Sequence, residues 1–342
     1  MPDPKELASS SPVQWTKLLG DPVRDYGCMG RPWLCCGASA PRDVAAPAAP
    51  PPPKNDEAKQ PTPPPKSPKN DEDGRPAPGR YVRTVAPCGA LPPLSASPGD
   101  PSTWRLRVGP AYGATGAKAP SGPALYDFFG CDVAVHGDPA PGAGGRYALP
   151  RCGFDAHGLP EVWVLHLAIP ANERPAVYGQ SKTGPTASLL LFFRLTAATA
   201  AAAADPATAP PAVRLLQRYV AEAPACAPDE PGTRGRAKLL VRTAADRVPR
   251  PLRRYNGKPV LLDRSSRVAS GPGYFEVFSN LRYWCYPARL AIFALWAKFS
   301  HAAVDACLVL EGRDDDELPE VALGCCALSK IDLDGAPVGW DA

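Results

Sequence analysis

Four consecutive acidic side chains, Asp314 to Glu317, stand between two apolar runs, Leu308–Leu310 and Val321–Leu328. Clustered carboxylates can hold a cation, and two more, Glu311 and Glu320, bracket this group. The spacing argues against a calcium loop, because the Asp-x-Asp-x-Asp-Gly order is missing. The plainer reading is a solvated acidic turn joining two strands, with Glu311 and Glu320 capping it or pairing with nearby cations. Other catalytic or ligating patterns are scarce. His136, His157, His166 and His301 are scattered, without HxxxH or HExxH spacing, and no CxxC pair occurs, so no metal site is expected. There is no P-loop, GxSxG or dinucleotide-binding turn; Gly142-Ala-Gly-Gly145 falls in a Pro/Gly loop. His166, set among apolar residues, reads as a satisfied core or sheet-face histidine. The expectation is a non-enzymatic domain without cofactors.

Charge gives a second candidate chemistry. The net charge of +4 is weak, but between Arg234 and Arg267 eleven Lys/Arg face two acids, Asp246 and Asp263. Such a segment suits an anionic partner. Arg247, Arg250, Arg253, Arg254 and Lys258 are the candidates for contact with lipid headgroups. Nucleic acid would share the patch, but interleaved aromatics and a binding motif are missing, so it is not the expected partner. Near the start, Cys35 and Cys36 follow Trp33 and Leu34. This pair is either a site of S-acylation or part of a short segment that docks on the domain.

These residues need a scaffold. Residues 1–39 hold the Cys/Trp-containing segment, and residues 40–79 are a Pro-rich linker in which Lys-Asn-Asp-Glu recurs at 54 and 69. Extended, charged, Pro-rich sequence of this kind builds no core. Residues 80–342 are expected to form one domain. Strands are expected at Trp104–Val108, Ala124–Phe129, Cys131–Val135, Leu159–Pro170, Ser188–Leu195, Val260–Asp263 and Tyr274–Phe278, with Ala306–Leu310 and Val321–Leu333 closing the chain. Ala237–Arg242 is a strand or a helix end. An amphipathic helix is expected over Val213–Glu222, with Val213, Leu216 and Val220 on one side. The Ala-rich stretch 197–212 reads as a loop or loose helix. A second helix starts at Pro287 and runs to about Val304, apolar nearly all round. Arg289 and Lys298 interrupt it and it is too short for a membrane span, which needs about 20 residues. Without a βαβ rhythm the class is α+β: a single domain with a largely antiparallel sheet packed against a central apolar helix near the C-terminus. Met1–Glu6 has no apolar leader core, so the cysteines are expected to be reduced and the protein cytoplasmic, peripheral on a membrane.

Several stretches, in order, resemble the C-terminal domain of the enhanced disease resistance 2 family of plants and algae. They are Trp104–Pro110, Gly122–Tyr126, the Leu159-Pro160 to Pro170 strand, Ser188–Phe193, Asn256–Asp263 with Gly257 and Lys258, and Gly273–Val277. The nearest match is Ala288–Asp334, with Glu311-Gly312 and Glu317-Leu318-Pro319-Glu320. The chain departs from the family pattern in three places. Val248-Pro249 replaces an aromatic pair, Asp263 replaces a Gly, and Phe278-Ser-Asn-Leu281 replaces a polar turn. Full-length plant members carry lipid-binding domains ahead of this one, and neither shows in residues 1–80. The resemblance therefore implies lipid handling by neighbourhood. Two functions follow: a regulatory module on anionic phospholipid surfaces, or a soluble module that binds a protein partner and no lipid.

Overall fold

In a computed structural model of the chain, the residues described are 83–84, 95–137, 139–171, 173–176, 181–227, 232–244, 253, 256–296, 303–329 and 331. The N-terminal segment and the linker, 1–79, lie outside them. Among the described residues, thirteen strands make up two main sheets and a hairpin. β1 (Arg83–Thr84), β5 (Tyr126–His136), β6 (Val162–Pro170), β7 (Thr186–Leu195), β10 (Ser266–Gly271) and β11 (Tyr274–Asn280) form a six-stranded sheet in the order β1-β5-β7-β6-β11-β10. β2 (Ser95–Pro98), β8 (Ala237–Thr243), β9 (Pro259–Leu261), β12 (Ala303–Leu310) and β13 (Ala322–Ser329) form a five-stranded sheet in the order β2-β13-β12-β8-β9. β3 (Arg105–Arg107) and β4 (Lys118–Pro120) pair alone. Among the described strands every pairing is antiparallel except β6 with β11. The α+β class and its largely antiparallel strands are as expected, but the strands divide into two sheets.

The sheets face each other across one core. Trp163, Leu165, Leu191 and Phe193 come from the larger sheet; Leu239, Leu308, Leu323 and Cys326 come from the smaller. The approach is closest at Gly324, where a Cβ would lie 2.5 Å from the Phe193 ring. Glycine is the residue that lets β13 sit this near β7. β6 is apolar without alternation because both its faces are covered. One faces the core, and the other packs under the segment carrying Ala143 and Tyr147, against Val162 and Val164.

Of the four α-helices among the described residues, α1 (Tyr112–Thr115) is a single turn and α2 (Ala197–Ala203) is capped by Thr196, whose Oγ1 accepts from Thr199 N at 3.1 Å. Of the two alternatives expected for the Ala-rich stretch, a loop or a loose helix, α2 takes the helical one over Ala197–Ala203. α3 (Pro211–Glu222) is the amphipathic helix foreseen, and Val213, Leu216 and Tyr219 are buried on one face. α4 (Tyr286–Leu295) corrects an expectation. It does not reach Val304, and it is not a central buried helix: its described side chains from Ala288 to Phe293 are half-buried. The chain is already strand at Ala303, and Val304 pairs with Thr243 on one side and Leu328 on the other. Two ladders of tertiary hydrogen bonds outweigh a local helical pattern of apolar residues.

Cys307, Cys325 and Cys326 are buried thiols in the smaller sheet. Burial pushes Cys325 up to about 11 and raises Cys307 and Cys326 above the usual 9.0. Tyr126 and Tyr219 are likewise raised by burial above 10.0. As pH rises past 9, the unfolded chain releases these thiol protons while the folded chain keeps them. The stability the thiols contribute is thus complete below pH 9 and is lost as pH climbs through their folded values. Lys238 and Lys182, both lowered by burial, act oppositely between their folded values and 10.5, but they are two groups against the five raised. The urea midpoint is therefore expected to fall between pH 9 and 11; a level midpoint across that range would contradict this.

Candidate functional site

The acidic turn is a clamp rather than a cation loop. Asp314 caps the one-turn helix Asp315–Glu317 in a capping box with Glu317. Asp314, Asp315 and Asp316 point outward, whereas Glu311, Glu317 and Glu320 are buried. Each buried carboxylate meets cations from another element. Glu317 pairs with Arg236 at 2.6 Å and with Arg218 of α3. Glu320 Oε1 lies 2.5 Å from Lys238 Nζ and also accepts from Gly312 N at 3.1 Å. Glu311 pairs with Arg107 at 3.1 Å and with Arg313 at 3.5 Å. Gly312 is needed because a Cβ there would lie 2.9 Å from Leu318 and 3.1 Å from the Glu317 carbonyl. Pro319 is exposed beside the buried Leu318. The pairing expected for Glu311 and Glu320 is what the turn does, and it ties the β12–β13 connection to β3, β8 and α3. Among the described residues no group of three His, Cys, Asp or Glu could hold a metal ion. The small crevice beside Glu317 and Glu320, lined by Leu125, Leu215 and Leu323, has room for about one water.

A second constellation escaped sequence reading. His166 Nδ1 lies 3.1 Å from Glu276 Oε1, and His166 Nε2 lies 2.8 Å from Ser188 Oγ. Glu276 also accepts from Gly142 N at 3.0 Å and Gly144 N at 2.8 Å. Ser–His–Glu is the order of an acyl-transfer relay, but all three side chains are completely buried. The Gly142–Tyr147 segment closes over them, its Gly144 packed so tightly that a Cβ would lie 2.8 Å from Tyr274. The arrangement pins that segment to the sheet, and His166 is the satisfied sheet-face histidine expected.

The basic segment divides into two parts. Arg234 donates to the carbonyls of Cys226 and Ala227 at 3.1 and 3.0 Å. Arg236 and Lys238 belong to the clamp. Arg242 pairs with Asp305 at 2.9 Å and lies 4.2 Å over the Trp104 ring. Arg234 and Lys238 are buried, Arg236 is largely so, and the partly exposed Arg242 is neutralised by Asp305, so these four cations leave the surface tally. Lys258 follows the Asn256-Gly257 turn, where Gly257 takes φ +72° and its N–H donates to Val241 O at 2.8 Å. Asn256 fastens that turn to Thr243 through bonds of 2.9 and 2.7 Å. Arg253, Lys258 and Arg264 are exposed. Arg247, Arg250 and Arg254 lie outside the described residues, as do Cys35 and Cys36. Leu159 and Pro160 are buried at the start of β6, with the Pro160 carbonyl accepting from Tyr126 Oη at 3.0 Å; Pro170 ends that strand.

Beside this edge stands α4. Trp284 Nε1 donates to Ser265 Oγ at 3.1 Å, which sets the start of the helix against the turn bearing Arg264. Tyr283 is 45 % exposed, and Lys182 Nζ lies 4.8 Å over its ring. No helix among the described residues is long and apolar enough to cross a membrane.

No curated protein and no solved structure matches the chain. One family does: its model covers residues 97–332, which takes in both main sheets apart from β1 and the first half of β2, together with the clamp and the buried trio. By that match the chain belongs to the family described as Protein ENHANCED DISEASE RESISTANCE 2, C-terminal.

Proposed function

We propose that this domain is a non-catalytic regulatory module that associates with anionic lipid surfaces through the edge where the smaller sheet hands the chain to the larger, at β9–β10. One observation carries the reading. With the buried or acid-paired Arg234, Arg236, Lys238 and Arg242 set aside, seven Lys/Arg remain between residues 244 and 268 against Asp246 and Asp263, and the described ones among them include the exposed Arg253, Lys258 and Arg264. A cation near an anionic bilayer contributes about 1 kcal/mol, and the attraction fades over about 8 Å at physiological salt. A few cations on one edge suffice for reversible, salt-sensitive adsorption.

Co-sedimentation of the full chain with vesicles tests this. Binding is expected to phosphatidylserine- or phosphoinositide-containing vesicles and not to neutral phosphatidylcholine. It should weaken at high salt and fall about tenfold or more when Arg253 and Arg254 become Glu. Absence of binding to any vesicle would sink the reading and favour the soluble, protein-binding alternative.

A further inference from the structure

A helix that is apolar on nearly every side is ordinarily sunk in a core or a bilayer. α4 is neither. Ile292 and Trp296, one turn apart, pack on the sandwich. The rest of the described helix, Leu290 and Phe293 included, stays half-buried at the surface. Beyond Ile292 and Trp296 the described side chains of the helix are only partly buried, so apolar surface there stays accessible to solvent, and such surface is where recognition sites are found.

The surroundings of that face are cationic and aromatic. Arg289 lies on the helix itself, its guanidinium held by the carbonyls of Trp284 and Ala176 at 3.1 Å each. Lys182 sits over the exposed Tyr283 ring at the start of the helix. Burial and then the charge of Arg289 lower Lys182, so two cations crowd this margin. Arg264 stands on the neighbouring turn. The acid at hand, Glu173, is engaged with Arg282. Apolar side chains ringed by cations, with a tyrosine at the rim, match the layering of an anionic bilayer: phosphates outside, acyl chains beneath, aromatics between.

We propose that α4 and Tyr283 form the insertion element of the domain, with Leu290 and Phe293 entering the acyl boundary of an anionic bilayer while Lys182, Arg289 and Arg264 remain among the phosphates. The proposal rests on the lipid-surface reading above and adds a contribution that salt does not screen. Adsorption through the β9–β10 edge alone would vanish at high ionic strength; adsorption with an inserted helix leaves a residue of binding.

The test measures partition of the full chain onto vesicles of phosphatidylcholine with phosphatidylserine, at low and high salt. The variants are Leu290→Ser/Phe293→Ser, Tyr283→Ala, and the exposed but distant Phe154→Ser as control. The double variant is expected to lose salt-resistant binding about a hundredfold, roughly tenfold for each large apolar side chain kept out of the bilayer. Its salt-sensitive binding should remain. Tyr283→Ala, at an exposed position where folding is not at risk, should lose severalfold, and Phe154→Ser should match the parent. If the parent binds anionic vesicles and both the double variant and Tyr283→Ala bind equally well at high salt, the insertion element is overturned and the electrostatic reading stands. If the parent binds no vesicle, both fall.

Discussion

Replacing Glu276 by Ala is expected to lower the stability of the domain by about 3–5 kcal/mol, the usual loss when one partner of a buried charged network is removed. The substitution strips three donors of their acceptor at once: His166 Nδ1 and the N–H groups of Gly142 and Gly144. His166 Nδ1 and Gly144 N would be left in a site that water does not reach, and Gly142 N in a half-buried one. It also unpins the Gly142–Tyr147 segment, which covers Val164 and Phe192 on the outer face of the larger sheet. Urea unfolding of the parent and the variant checks the figure. Glu276→Leu combined with His166→Leu should cost less than the two single changes summed, because apolar side chains then replace both members of the pair. A single-variant loss below about 1 kcal/mol would show that the trio does not hold the segment.

The second large effect is expected at the clamp. Lys238 is 3 % exposed and Glu320 4 %, and their charges meet at 2.5 Å. Lys238→Met leaves Glu320 with Gly312 N and, at 3.8 Å, Arg107, which softens the loss to about 3 kcal/mol, the low end for a broken buried pair. Glu320→Leu leaves an ammonium buried without its carboxylate and should cost at least as much. The double variant, Lys238→Met with Glu320→Leu, should come closer to the parent than the singles sum to. A double-mutant cycle on urea midpoints reads this coupling, and strict additivity would refute it. A surface pair such as Arg151–Glu161, with the arginine 68 % exposed, should be worth about 1 kcal/mol or less.

Much of the scaffold was legible because its signals are local. Leu159–Pro170 is a strand bounded by prolines, Val213–Glu222 has helical spacing, and the acidic turn separates two apolar runs. What escaped depends on distant partners. Ser188, His166 and Glu276 are spread over more than a hundred positions and meet because β11 joins β6 in parallel, a pairing no short window reveals. Arg234, Arg236, Lys238 and Arg242 looked like surface because cations ordinarily are. Their partners, the Cys226 and Ala227 carbonyls, Glu317, Glu320 and Asp305, lie elsewhere in the chain. Val304 looked helical until two flanking strands claimed it. The contacts proposed for Arg247, Arg250 and Arg254 fall outside the described residues.

The order of the strands also governs how the domain comes to exist. β13, the last strand, lies inside the smaller sheet, with β12 on one side and β2, at residues 95–98, on the other. β6 likewise waits for β11, more than a hundred residues downstream. During synthesis the β5-β7-β6 strands emerge with a long apolar edge that only β11 can cover, and the smaller sheet, which has β2 at one edge, is not complete until β13 has left the ribosome. A topology so rich in distant pairings folds slowly and leaves sticky intermediates. Fragments ending before about residue 330 are therefore expected to aggregate rather than fold, and the nascent chain to lean on chaperones until its last strand arrives.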